Sequence, residues 1–311
     1  MKRSIIKFTG FILLSLALIS CDKDDNKQTA APTFDAFVQA TPELSMFGKA
    51  VEKAGLNSFK GGPGPFTWFA PTNAAFAAAG ITDDSLNRLT PSQVSYLMMY
   101  HLANADLSGT NLIAVNSSPR NSQLGTGTGQ FYIGSWNDEY FVNGTKIASR
   151  DNKISNGTIQ IINRFHTPPA LRGNIQSILN STGQHTLFIQ ALQRANLWSS
   201  FATASVFTVF APTDAAMQAA GYSSTSIAAA TPATLAAAMR YHYILNIRLF
   251  TNDLSKPTIP ATAAGSSQYL TTSDKGTKIK GKNNPSPVNI TRSDLLGVNG
   301  VVHIIDGVLR P

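Results

Sequence analysis

Apolar positions in this chain recur with two periods, and the whole pattern occurs twice. Leu44, Phe47, Val51 and Ala54 fall at helical spacing, and His185, Phe188, Leu192 and Ala195 occupy the positions 141 residues later. Both stretches predict an amphipathic helix. Next come Phe66-Thr67-Trp68-Phe69-Ala70 and Phe207-Thr208-Val209-Phe210-Ala211, two short runs that predict strands. Pro71-Thr72-Asn73 and Pro212-Thr213-Asp214 stop them. Thr72 and Thr213, each followed by Asn or Asp, offer side-chain acceptors to the free amides of a helix start, so helices are predicted over 74–79 and 215–220. Gly80 and Gly221 end them in matching places. Thr90-Pro91 and Thr231-Pro232 place proline at a first helical position behind a capping threonine. The helices that follow end in Tyr100-His101 and Tyr241-His242. The spacing then drifts by two residues, since Asn156-Gly157 corresponds to Asn299-Gly300, so the extra residues lie in the loops and strands between.

Each half, about 140 residues, has the size of a domain with its own core. The matched motifs resemble those of fasciclin-type (FAS1) domains: the Phe-Ala-Pro-Thr corner, the tyrosine–histidine pair, and the closing run Asn299-Gly300-Val301-Val302-His303-Ile304-Ile305-Asp306-Gly307-Val308-Leu309. The resemblance covers residues 34–168 and 171–311. It implies an α+β chain of two tandem FAS1 domains, each a β-wedge packed against several helices. The first copy departs from the closing pattern, with Asn163 and Arg164 where the family has aspartate and a small residue. A looser final turn is expected there.

The amino terminus reads as an export signal. Lys2, Arg3 and Lys7 precede the apolar run 11–19, too short for a stable membrane span. Leu18-Ile19-Ser20-Cys21 resembles a bacterial lipobox, and Cys21 is the sole cysteine, which argues against a disulfide framework and against a zinc or redox site. Residues 1–20 are thus expected to be a signal peptide and 21–33 a tether lipidated on Cys21, with the membrane as a partner through that lipid. Asp22-Lys23-Asp24-Asp25-Asn26 resembles the acidic signal that sends lipoproteins to the outer face of the outer membrane, giving an expected surface location; the same stretch also reads as solvated linker.

Charge is uneven. The chain carries +8, of which three positive charges lie in the signal peptide; residues 34–168 are neutral and residues 169–311 carry +6. The dense Lys/Arg clustering of nucleic-acid binders is absent, so no nucleic acid is expected, and anionic glycans or an acidic neighbouring surface suit the imbalance better.

The chain carries few residues in patterns that do chemistry. His101 shares a helix face with Val94, Leu97 and Met98, and His242 with Leu235, Ala238 and Met239, so both point to the core, each bonded to a backbone group. They read, with Thr72 and Thr213, as structural signatures. No metal-ligand spacing, nucleophile elbow or cofactor motif occurs, so no metal, no cofactor and no enzymatic activity is expected. Gly125-Thr126-Gly127-Thr128-Gly129 leads into an alternating strand rather than a helix and is expected to be a flexible loop.

The copies differ beyond that loop. In the first, Phe131 and Ile133 share one strand face and Tyr132 and Trp136 the other, with Tyr140 and Phe141 on a returning strand. Tyr132 and Trp136 form either a stacking platform for sugar rings or a packing surface against helices or the second domain. In the second copy, Lys278, Lys280 and Lys282 alternate with Ile279 and Gly281, which fits either protection of a sheet edge or contact with an anionic polysaccharide or head groups. Asp84-Ser85-Leu86 resembles an O-glycosylation sequon and equally a helix cap, while Asp294-Leu295-Leu296 is loosely similar to an integrin-recognition triplet. The expected function is a non-enzymatic, surface-tethered lipoprotein mediating adhesion or extracellular interaction with a protein or glycan partner; the alternative is a glycan-binding accessory lipoprotein for polysaccharide capture.

Overall fold

Each repeat is organised around one strand whose six residues are all buried: β1 (Phe66–Pro71) and β8 (Phe207–Pro212). A strand covered on both faces reads as an unbroken apolar run, and here the run pairs in parallel with the last strand of its own repeat. The computed structural model describes residues 30–114, 117–256, 259–265 and 270–311. The expected export signal, Cys21 and most of the expected tether lie outside the described residues. Ala31–Pro311 clusters as one unit, so the two repeats are packed against each other.

The first repeat adds β2 (Leu102–Ala103), β3 (Ser118–Ser122), β4 (Gly125–Trp136), β5 (Glu139–Val142), β6 (Thr145–Ile154) and β7 (Gly157–Ile162), in the spatial order β2-β1-β7-β6-β5-β4-β3. The second has β9 (Tyr243–Leu245), β10 (Thr271–Ser273), β11 (Lys278–Lys280), β12 (Val288–Gly297) and β13 (Gly300–Ile305), in the order β10-β11-β12-β13-β8-β9. β1 runs parallel to β7 and β8 to β13; every other pairing is antiparallel. Each domain is therefore a mixed α+β unit with a long curled sheet.

Alternation along the central strand divides the core in two. Phe66, Trp68 and Ala70 face the helices, where Trp68 meets Phe34 and Phe47 at ring separations of 5.2 and 5.7 Å. Phe69 points to the opposite face, against Phe131 at 4.9 Å and among Leu112, Ile133 and Val142. The second repeat copies this, with Val209 and Ala211 under helix Thr186–Arg194 and Phe210 with Tyr241 and Ile279 on the other side.

The corner after the strand has the geometry its residues favour. Thr72 Oγ1 accepts from the Ala75 amide and Thr213 Oγ1 from the Ala216 amide, both at 3.2 Å, opening helices Asn73–Ala78 and Asp214–Ala219. Asn73 and Asp214 also reach back, accepting from Met46 N–H at 2.9 Å and Leu187 N–H at 2.7 Å, which ties each corner to the neighbouring helix. Gly80 and Gly221 follow with φ of 73° and 89°. The Gly125–Gly129 stretch departs from the expected loop: it is the start of β4, pinned by Ser122 Oγ donating to the Gly129 carbonyl at 2.6 Å. Its glycines adopt the positive φ of Gly125 and Gly127 beside a bulge in the β3–β4 register, a conformation that mimics loop composition within a strand. Replacing Thr213 by alanine removes one helix cap and is expected to lower stability by about 1 kcal/mol in urea unfolding.

Candidate functional site

Four of the five histidines bond a backbone carbonyl of the core. His101 donates from Nδ1 to the Leu97 carbonyl at 2.9 Å and accepts at Nε2 from the His166 amide at 3.1 Å. His242 repeats the arrangement, with the Ala238 carbonyl at 3.1 Å and the Leu309 amide at 3.0 Å. Only a neutral imidazole can donate from one nitrogen and accept at the other. Burial pushes both down to about 4, opposed by the backbone bonds at Nδ1. His185 donates to the Pro212 carbonyl at 2.8 Å, and His303 donates from Nε2 to the Leu249 carbonyl at 2.9 Å.

His303 leads to the domain junction. Its counterpart in the first repeat is Gln160, which donates to the Leu107 carbonyl at 2.9 Å and accepts from the Asp151 amide at 2.8 Å. Both sites prop up an aspartate with left-handed backbone, Asp151 at φ 60° and Asp294 at φ 61°. Asp151 accepts from the Gly109 amide within its own domain. Asp294 accepts from Thr251 N–H at 2.8 Å and Thr251 Oγ1 at 2.7 Å, and adds an ion pair to Arg164 of the first domain at 3.2 Å. Gly144 of the first domain lies directly over the Asp294 carboxylate and has no room for a Cβ.

Two further contacts complete the junction. Tyr132 packs on Phe250 at 5.4 Å, in a buried group with Leu296 and Val301, and Arg248 lies over its ring. Ser117 donates its amide to Asp253 at 3.2 Å and accepts from Asn252 at its hydroxyl, while Lys256 pairs with Asp253 at 2.9 Å. An apolar contact flanked by hydrogen-bonded and ion-paired side chains holds two domains in one orientation better than either kind alone.

The sequence candidates fare unevenly. Tyr132 is 8% exposed and is taken up by this junction, so of the two readings left open for it the packing one is realised. Trp136 lies at the tip of the β4–β5 hairpin, paired with Glu139, and is half-buried. Lys278 and Lys280 lie on β11, which has neighbours on both sides, so they guard no sheet edge; Lys282 lies beyond the strand. Lys278 pairs with Asp274 at 2.6 Å. Asp294, Leu295 and Leu296 are all buried, which removes the triplet from any surface receptor. Ser85 forms a capping box with Thr82. In place of the expected looser turn, Arg164 bridges to the second domain, whereas in the second copy Asp306 bonds Asn289 at its amide and side chain. Among the described residues no three His, Cys, Asp or Glu side chains gather as metal ligands, and no helix is long and apolar enough to cross a membrane.

Sequence reading missed the cleft beside the Arg164–Asp294 pair, where Arg172 and Arg292 approach from elements about 120 residues apart. The one signal pointing there was the unexpected Arg164.

The Fasciclin domain family model matches twice, over residues 42–168 and 183–311. The chain belongs to the fasciclin family. Among curated relatives, the chain is 25% identical over 265 residues to pig transforming growth factor-beta-induced protein ig-h3, covering 83% of this chain and 35% of that protein. It is 25% identical over 275 residues to mouse stabilin-2, covering 86% and 10%. It is 29% identical over 158 residues to a fasciclin-like arabinogalactan protein of Arthroderma benhamiae, covering 51% and 34%. The chain thus spans about a third or less of the length of these relatives. A solved FAS1 domain pair from the insect cell adhesion molecule Fasciclin I is 15% identical, with a TM-score of 0.42, covering 86% of this chain and 97% of that one.

Two outcomes follow for this fasciclin pair. All five histidines are held below 6.5 by burial. The unfolded chain therefore binds more protons between pH 6.5 and about 4, and stability present above pH 6.5 falls as pH drops through that window. Denaturant titrations across this range should show the loss, and His242→Gln should reduce it by one histidine's share while lowering stability at pH 7. Tyr132→Ala opens a cavity in the apolar contact of the junction and is expected to cost about 3 kcal/mol of coupling, splitting a single calorimetric transition into two and enlarging the particle in X-ray scattering.

Proposed function

We propose that this fasciclin pair is a non-enzymatic surface lipoprotein, held to the outer face of the outer membrane by lipid on Cys21, that mediates adhesion or another extracellular interaction through its two domains. The observation that carries this reading is the junction of Tyr132, Phe250, Arg164 and Asp294, which gives the two outer faces a fixed relation to each other. Two linked domains with a set spacing present one extended surface to a partner. The repeats keep the same scaffold and differ in what they display, with the Trp136 hairpin on one and the lysines of β11 on the other.

A second reading, glycan capture, is favoured by Trp136 at its hairpin tip and by Lys280 and Lys282, neither of which is ion-paired among the described residues. Membrane fractionation and solid-phase binding test both. Cys21→Ser should release the protein from the membrane fraction, and the wild-type chain should bind cells or matrix protein without added glycan. If binding instead needs a polysaccharide, Trp136→Ala should abolish capture of neutral sugars, and the Lys278/Lys280/Lys282 triple alanine variant should abolish capture of acidic ones.

A further inference from the structure

The junction leaves open a cleft of about 500 Å³ beside the Arg164–Asp294 pair. Its walls come from the end of helix Asn73–Ala78, the closing segment of the first domain, the short connecting helix Pro169–Arg172 and the bulged part of β12. Three guanidinium groups face it, those of Arg164, Arg172 and Arg292, and a single carboxylate, Asp294, which is already engaged by Thr251, Ser293 and Arg164. Among the described residues the Arg172 and Arg292 side chains have neither an ion pair nor a hydrogen bond. Like charges brought together in a partly desolvated cleft repel one another, and an oxyanion relieves that repulsion.

The surroundings feel this field. Arg172 is held below its ordinary range by burial, by Arg292 and by Arg164, with Tyr100 opposing. His166, behind the cleft, is held well below its ordinary value by burial, His101, Arg164 and Arg172. Beside the arginines the lining supplies neutral hydrogen-bonding groups on Asn163 and Thr167 and the apolar edge of Phe165. Neutral hydrogen-bonding groups next to a guanidinium cluster suit a sugar ring that carries a carboxylate. The guanidinium fork fits a carboxylate with two parallel bonds.

We propose that the cleft between the two fasciclin domains binds the carboxylate of an acidic sugar, with Arg172 and Arg292 as its charged partners and Asn163 and Thr167 bonding the ring hydroxyls. This site is distinct from the lysines of β11 and does not depend on the membrane tether, so it stands or falls apart from the adhesion reading.

Calorimetric titration of the full chain with trigalacturonate, maltotriose and inorganic sulfate tests it. Trigalacturonate should bind, maltotriose should not, and binding should weaken as salt is raised. Arg172→Gln and the exposed Arg292→Gln should each weaken trigalacturonate about tenfold or more, while the Lys278/Lys280/Lys282 triple alanine variant should bind as the wild type does. Unchanged affinity in both arginine variants, or no binding of trigalacturonate at all, overturns the proposal. Sulfate binding as tightly as trigalacturonate overturns the assignment to a sugar. Cell or matrix binding that survives in Arg292→Gln leaves the adhesion reading intact whichever result is obtained here.

Discussion

A neutral imidazole in the middle of each domain holds the end of a helix to the segment that closes the chain, and much of the architecture depends on that tie. His101 joins Leu97 to His166, and His242 joins Ala238 to Leu309, bridging 65 and 67 residues of sequence with two hydrogen bonds each. The closing segment follows directly on β7 or β13, the strand paired in parallel with the buried central strand. Parallel partners are distant in sequence, so a link that anchors the chain just beyond the pair counters the entropy of a long closure. An imidazole supplies a donor and an acceptor on opposite sides of one rigid ring, and it does so only while it stays uncharged.

The second domain carries another imidazole where the first carries an amide. Gln160 and His303 occupy the same place, each bridging a backbone carbonyl to the amide of a left-handed aspartate. In the first domain that aspartate serves its own loop through Gly109. In the second it keeps the matching bonds to Thr251 and adds an ion pair with Arg164 of the neighbouring domain, beneath Gly144, which has no room for a Cβ. A duplicated supporting element has thus become a contact between the copies. The Asp294 side chain is 1% exposed, and its stability rests on the number of donors around it rather than on the ion pair alone.

The chain's local chemistry was legible wherever neighbours in sequence are neighbours in space. Thr72, Thr213 and the prolines after Thr90 and Thr231 mark helix starts because a cap is satisfied within three residues. Glycine composition misled at Gly125–Gly129, since a bulged strand and a loop use the same positive φ. The Lys278–Lys280 run fitted an edge strand equally well, because nothing within three residues says whether a further strand lies alongside.

By itself the sequence determined the duplication, the α+β character of each half, the strand-to-helix corner and the burial of His101 and His242, since period, capping and helical face act over a few residues. Tertiary structure alone decided which face of the aromatic strand was covered, sending Tyr132 into the junction and leaving Trp136 at the tip. It also decided that Arg164 meets Asp294 and that Arg172 and Arg292 converge on one cleft. Those pairings join residues 120 or more positions apart in the sequence, and a pattern that reports each residue's immediate neighbours carries no information about how two folded surfaces meet.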